Sequence, residues 1–228
     1  MSTLHLYWTL GSQPSRAIKS LLLAGGVEHE THDVDMGKGE HKSPEILALN
    51  PKGAVPFITQ DGVAMNESAA ILRYLSQKHP QLNQFYSGSL EQQHEIDAML
   101  DFNATAFRPS MTSKVMPSVM KKLNNMENLP PLLQALYDSS PEKVKTALEA
   151  LEAALTRKGT KYLCGDSITI ADFQIYAEFC DVYYMGMSFA EYPKITAWAE
   201  TCRASAGLKE VHDDWEKIVP GFREFFEL

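Results

Sequence analysis

Ser12 stands where a small hydroxyl can act on a bound anion. The run Ser12-Gln13-Pro14-Ser15-Arg16 follows the alternating stretch Leu4-His5-Leu6-Tyr7-Trp8 and precedes apolar residues at Ile18, Leu21 and Leu22. This reads as a strand, a turn, and a helix with a proline in its first turn, where the missing N–H is one that would be unpaired anyway. Unpaired amides and the positive end of the dipole let such a helix start hold an anion, an anionic sulfur among them. By itself the serine reads as a turn or capping residue.

Glu67-Ser68 places an acid and a hydroxyl ahead of the apolar run Ala70, Ile71, Tyr74 and Leu75, and also reads as a helix cap and its neighbour. His41 and Lys52 read on their own as solvated loop residues, and Arg108 as the partner of Asp101 or another acid on its own helix. Cys164, Cys180 and Cys202 are odd in number, with no two-residue spacing. That speaks against a disulfide framework, a zinc cluster and a dithiol redox motif, and buried free thiols are expected. His29 and His32 could share a helical face, but their neighbours read as a strand with solvated polar residues. No third or fourth ligand is evident, so no metal is expected.

A chain of 228 residues makes one large domain or two ordinary ones without help from disulfides or metal. The formal charge of −8 is uneven: residues 1–80 carry 7 Lys/Arg against 8 Asp/Glu, and residues 81–228 carry 14 against 21. No positive face is offered to a phosphate backbone, so nucleic acid is not expected as a partner. With no apolar signal-peptide core and no uninterrupted run of about 18 apolar residues, no membrane is expected either, and a cytoplasmic location is.

The elements that must position these groups fall into two regions. In the first, the opening strand and helix end at Ala24-Gly25-Gly26, and a second strand follows around residues 27–34. Pro44-Glu45 open a short helix that stops at Asn50-Pro51, and Gln60-Asp61-Gly62 joins two apolar runs as a hairpin. Ser68 then caps a further helix. The order βαβαββα is that of a thioredoxin-like domain, with a parallel and an antiparallel half. Pro56 leads the hairpin where it cannot donate to a ladder, and Val55–Pro56 is expected to be cis.

His79-Pro80 and Ser87-Gly88-Ser89 bracket a linker, and helix patterns dominate from residue 90. Ser140-Pro141-Glu142 supplies a cap, a first-turn proline and a dipole-favourable acid ahead of the stripe Val144, Leu148, Leu151 and Leu155. Thr169-Ile170-Ala171-Asp172 is a capping box, with Ile168 and Phe173 placed as a hydrophobic staple. The expected architecture is α/β plus all-α: a thioredoxin-like domain over 1–80, then an all-helical domain over 90–228.

With these features in place, the chain resembles the glutathione transferases over essentially its full length. The βαβαββα order, Asn50-Pro51-x-x-x-Val55-Pro56, Glu67-Ser68 and Thr169-x-x-Asp172 fall in the family's order and spacing, weak singly and strong together. Leu6-Tyr7 followed by Ser12-Gln13-Pro14-Ser15-Arg16 resembles the theta class and its bacterial dehalogenating relatives. Arg108 also falls where theta enzymes have an arginine near the second substrate.

The resemblance implies glutathione as co-substrate, a homodimer, and Ser12 as a hydroxyl that donates to the sulfur. A thiol with a free pKa of ~8.5 must be held as thiolate to act as a nucleophile, and a donor beside a helix N-terminus favours that form. Ser12 is preferred to Tyr7 because the tyrosine accompanies an acting serine in the theta pattern. Ser68 and its helix start are implied for the γ-glutamyl carboxylate, Glu67 for the ammonium, and the Val55 backbone for the cysteinyl unit. His41 and Lys52 are implied for the glycyl carboxylate. Ala54 departs from the theta pattern, which often has lysine there, and Lys52 is the nearest substitute.

An electrophile pocket is expected between the domains, from Leu10, Phe107, Arg108, Met111 and Met116, with methionines that adapt to many shapes. The leading activity is detoxifying conjugation of glutathione to small electrophiles, with dehalogenation and peroxide reduction as variants. A glutathione-dependent redox enzyme is the alternative, although it needs a cysteine where Ser12 stands. A catalytically idle binding module is the third reading.

Overall fold

The computed structural model describes residues 3–184 and 186–226. The first region is β1 (His5–Trp8), α1 (Gln13–Ala24), β2 (Glu30–Asp33), α2 (Pro44–Leu49), β3 (Phe57–Gln60), β4 (Val63–Asn66) and α3 (Ser68–Lys78), the expected thioredoxin-like order. The sheet order is β2-β1-β3-β4, with β2 parallel to β1 and the other pairs antiparallel. Strand alternation gives its faces different work. Leu4, Leu6 and Ile58 enter the core with Ile18, Leu21 and Leu22 of α1 and Ile71, Leu72 and Leu75 of α3.

His5, Tyr7 and Phe57 turn to the opposite face, where the Tyr7 ring is stacked between His32 and Phe57 at centroid distances of 4.4 and 4.2 Å. Leu72 takes the core position on α3 that the spacing gave to Ala70, which is exposed. Asp61 and Gly62 hold φ of 50° and 77°, the left-handed pair that a tight hairpin requires. Val55–Pro56 is cis.

The second region comprises α4 (Leu90–Phe102), a π-helical turn (Asn103–Phe107), α5 (Arg108–Leu123), α6 (Pro131–Asp138), α7 (Ser140–Lys158), α8 (Ile170–Tyr184), α9 (Pro193–Arg203) and α10 (Leu208–Phe226). Its axis is α8, buried from Ile170 to Val182 and packed on α1. The expected linker is held down by a 3₁₀ turn, Pro80–Phe85, that buries Leu82 and Phe85. Ser89 and Gln92 cap α4 reciprocally, a box that the linker reading passed over.

The stripe Val144, Leu148, Leu151 and Leu155 is buried as predicted. The cap before it differs: α7 starts one residue after Ser139, which caps no amide and donates its hydroxyl to Leu136 O at 3.1 Å, because α6 ends there. No helix among the described residues is long and apolar enough to cross a membrane.

Thr169 and Asp172 interlock at the start of α8, though not as a full capping box. Asp172 Oδ2 accepts from Thr169 N at 2.8 Å and from Thr169 Oγ1 at 3.0 Å, while Asp172 N donates to the Thr169 carbonyl. Oδ1 accepts from Leu163 N and Trp198 Nε1, both at 2.9 Å. One buried carboxylate thus ties α8 to the preceding loop and to α9. Burial pushes its carboxyl above the usual range, and the four donors pull against that shift.

Candidate functional site

A cleft of about 330 Å³ opens where the two regions meet. Lys52, Val55, Glu67 and Ser68 line one wall, Asn103, Arg108 and Gln174 the other, and Pro14 of α1 lies between. Four of the six residues anticipated for a glutathione-like guest are therefore together. Ser12 is the N-cap residue of α1, half-buried and two positions before the lining Pro14. Its amide donates to Thr9 O at 3.1 Å and its carbonyl accepts from Arg16 N at 3.0 Å, but its hydroxyl caps no helix amide. Among the described residues that hydroxyl has no hydrogen-bond partner. His41 sits apart from the cleft wall in a 3₁₀ turn (Glu40–Lys42), its Nδ1 buried without a partner among the described residues.

At the other end, Glu67 rather than Ser68 is the N-cap of α3, and it has φ 69°, a conformation that residues other than glycine seldom adopt. Its side chain caps nothing and is drawn instead to Lys52 Nζ at 2.5 Å. Ser68 is the first helical residue. The opening amides of α3 consequently have no side-chain cap, and Ser68 and Ala69 of this turn line the cleft.

The anticipated electrophile wall is rearranged. Arg108 lines the cleft, whereas Phe107 is fully buried against Phe102, Met111 is buried in the same core, Met116 is exposed, and Leu10 is half-buried with its carbonyl engaged by Arg16. The cause is the π turn. Pro109 has no N–H to return to the preceding turn, so the helix widens there and rotates the residues beyond it. Asn103 and Gln174 appear on the wall instead, both buried and with Asn103 Oδ1 and Gln174 Oε1 unpartnered among the described residues. Gln174, Glu178 and Asp181 recur at spacings of four and three along an apolar helix, a polar stripe visible in the residues themselves.

That stripe also supplies the partner of Arg108, which is the fully buried Glu178 and not Asp101 or another acid on its own helix. Burial pushes the Glu178 carboxyl up to about 7 even though Arg108 favours its charge. Unfolded, it ionises near 4.5, so the folded chain holds the proton more tightly and loses stability as pH rises between these values. Glu178→Gln has no such loss. Its melting temperature relative to wild type should therefore climb from pH 4.5 to 7 and level off above; a difference that ignores pH would mean that Glu178 does not titrate in this range.

Asp181 binds two residues at the start of α1, Arg16 and Gln13. Arg16, with no exposed surface, pairs with it and also donates to Leu10 O at 2.9 Å and Ala177 O at 3.0 Å, with its guanidinium 4.3 Å over Trp215. Gln13 Nε2 donates to the second carboxylate oxygen at 2.5 Å. The turn that carries Ser12 is thereby fastened to α8. Cys180 and Cys202 are buried and Cys164 half-buried, all free and none on the cleft wall. Burial pushes the Cys164 and Cys180 thiols up to about 12, far from nucleophilic thiolates.

A family model described as "Glutathione S-transferase, N-terminal domain" matches residues 6–83, and one described as "Glutathione S-transferase, C-terminal domain" matches residues 103–206. "Glutathione S-transferase F9" of Arabidopsis thaliana is 32% identical over 74% of this chain and 76% of its own. "Probable glutathione S-transferase GSTF2" of Oryza sativa subsp. japonica is 33% identical over 75% and 77%. The solved structure of human glutathione-S-transferase T1-1, apo form, matches with a TM-score of 0.82 at 25% identity, covering 95% of this chain and 89% of that one.

Proposed function

The chain belongs to the glutathione S-transferase family, and on that footing we propose that it is a serine-type, theta-like enzyme in which Ser12 holds the glutathione thiolate for attack on small electrophiles. The observation that carries this reading is the free Ser12 hydroxyl at the start of a proline-primed helix, set against a Tyr7 ring sandwiched on the far face of the sheet. The thiol gives its proton to solvent, the Ser12 Oγ–H donates to the sulfur anion, and the dipole of α1 adds to the same preference. Each unit of lowered thiol pKa is worth ~1.4 kcal/mol toward thiolate. Ser12 is neither base nor nucleophile here.

The open amides of α3 and Ser68 take the γ-glutamyl carboxylate, and Glu67 takes the ammonium. Lys52, released from Glu67, joins His41 at the glycyl carboxylate, while the Val55 backbone pairs with the cysteinyl unit. On the opposite wall, Arg108 and the amides of Asn103 and Gln174 favour electrophiles whose leaving group departs with negative charge, such as halide or peroxide oxygen. A homodimer acting in the cytoplasm belongs to the same proposal. The redox alternative is disfavoured because no cysteine reaches the cleft.

Ser12→Ala should lower kcat/KM by tenfold or more, ~1.4 kcal/mol or above of transition-state stabilisation, with melting little changed. Tyr7→Phe should keep near-wild-type turnover. The reverse pattern would move the sulfur contact to Tyr7.

A further inference from the structure

Three ligand-type side chains meet on the face of the sheet that carries Tyr7. The parallel register sets His5 of β1 opposite Glu30 of β2 and Tyr7 opposite His32, so His5, Glu30 and His32 project to one side. His5 Nδ1 lies 3.1 Å from His32 Nε2 and 3.3 Å from Glu30 Oε2, and the three donor atoms fall within 4.8 Å of one another. A tetrahedral zinc ion with ligand bonds of ~2.0–2.2 Å keeps its ligand atoms ~3.3–3.5 Å apart. Two of the three edges are already near that length. The third can close by a swing of Glu30, whose side chain is 63% exposed.

The surroundings favour the same use. His32 lies flat on Tyr7, with 14° between ring planes, and Tyr7 lies on Phe57 at 6°, so a stack crossing three strands fixes the His32 ring. Two imidazoles and a carboxylate suit zinc and its transition-metal neighbours, whereas magnesium and calcium demand oxygen ligands. Spacing alone singles out His29 and His32. The fold recruits His5 and Glu30 in place of His29, which is turned toward Lys19 and Val27 O.

We propose that His5, Glu30 and His32 form a binding site for one divalent cation of the zinc class, with its remaining coordination position open to solvent. Its role is a clamp. β2 is the sheet edge, paired through four residues with β1 alone, and the ion adds a side-chain tie between these strands. The site is independent of the thiol chemistry assigned to Ser12.

The test is a Co²⁺ titration of the full chain in chelator-treated buffer, followed by visible d–d absorption. One Co²⁺ per chain should bind with the intense bands of a four- or five-coordinate site, and Zn²⁺ should displace it. His5→Gln and His32→Gln should each weaken binding at least tenfold, and Glu30→Gln less. Turnover with glutathione should be the same with and without Zn²⁺. Wild-type protein alone gives a second reading: Zn²⁺, but not Mg²⁺ at equal concentration, should raise the melting temperature until a chelator is added. Equal Co²⁺ affinity in wild type and a His5→Gln/His32→Gln double variant would overturn the site, leaving a hydrogen bond between imidazoles. So would a wild-type melting temperature that Zn²⁺ does not move.

Discussion

Arg16→Met should destabilise the chain more than any substitution at the cleft wall, and should impair catalysis in whatever remains folded. The guanidinium is fully buried, and its loss strands the buried carboxylate of Asp181 with Gln13 as its remaining hydrogen-bond donor. Breaking such a pair from one side costs about 3–5 kcal/mol, a large share of the ~5–15 kcal/mol that holds a domain together. At about 2–4 °C per kcal/mol for a chain of this size, melting should fall by roughly 10 °C or more. Leu10 O also loses its donor, so the turn leading to Ser12 loosens and kcat should drop beyond what unfolding explains. The double variant Arg16→Met/Asp181→Leu should regain stability over Arg16→Met, because no unpaired charge is then buried. Losses that merely add in the double variant would show that the two residues are not coupled.

Asp172→Ala is the second large effect. It leaves four donors without an acceptor: Leu163 N, Thr169 N, Thr169 Oγ1 and Trp198 Nε1. A buried donor left unsatisfied costs about 1–3 kcal/mol, and with partial relaxation the set should cost about 3 kcal/mol or more. Thermal melting should fall on the order of 10 °C, while KM for glutathione stays put at a temperature where both proteins are folded. Asp172→Asn keeps part of the acceptor surface and should fall between the two. Unchanged melting, or a selective rise in KM, would contradict a structural role.

What the sequence made legible was local. The strand, turn and proline of the Ser12 segment, the Asp61-Gly62 hairpin and the stripe from Val144 to Leu155 each rest on chemistry confined to a few neighbouring residues, and each stands in the structure. Long-range pairings carried no such mark. Arg16 meets Asp181 across 165 positions and Arg108 meets Glu178 across 70, so local spacing could only offer Arg108 a partner on its own helix. Ser68 read as a cap because its type is right, whereas the left-handed turn at Glu67 hands that position to its neighbour. Phe107 and Met111 were expected on the pocket wall through the resemblance, and the π turn that carries them into the core instead has no mark in the local pattern. Membership of the family rests on features spread along the chain. The theta-like reading rests on one short motif and on Arg108, and the relatives at 32% and 33% identity are plant proteins.

The π turn has a mechanical meaning as well. An α-helix advances about 100° per residue, so one surplus residue between Asn103 and Phe107 sets every later side chain back by about that angle. Asn103 and Phe107, at the two ends of the turn, are both buried, and Met111 and Val115 carry the buried face on along α5. The surplus residue works like one tooth on a gear: it turns Arg108 toward the cleft by the same movement that meshes Phe107 and Met111 with the core. Pocket and core share that shaft. A one-residue deletion in this turn would exchange the whole set of side chains facing the electrophile, but it would swing the core stripe out of mesh at the same stroke. Variation at this wall is therefore free residue by residue, while its phase is locked to the packing behind it.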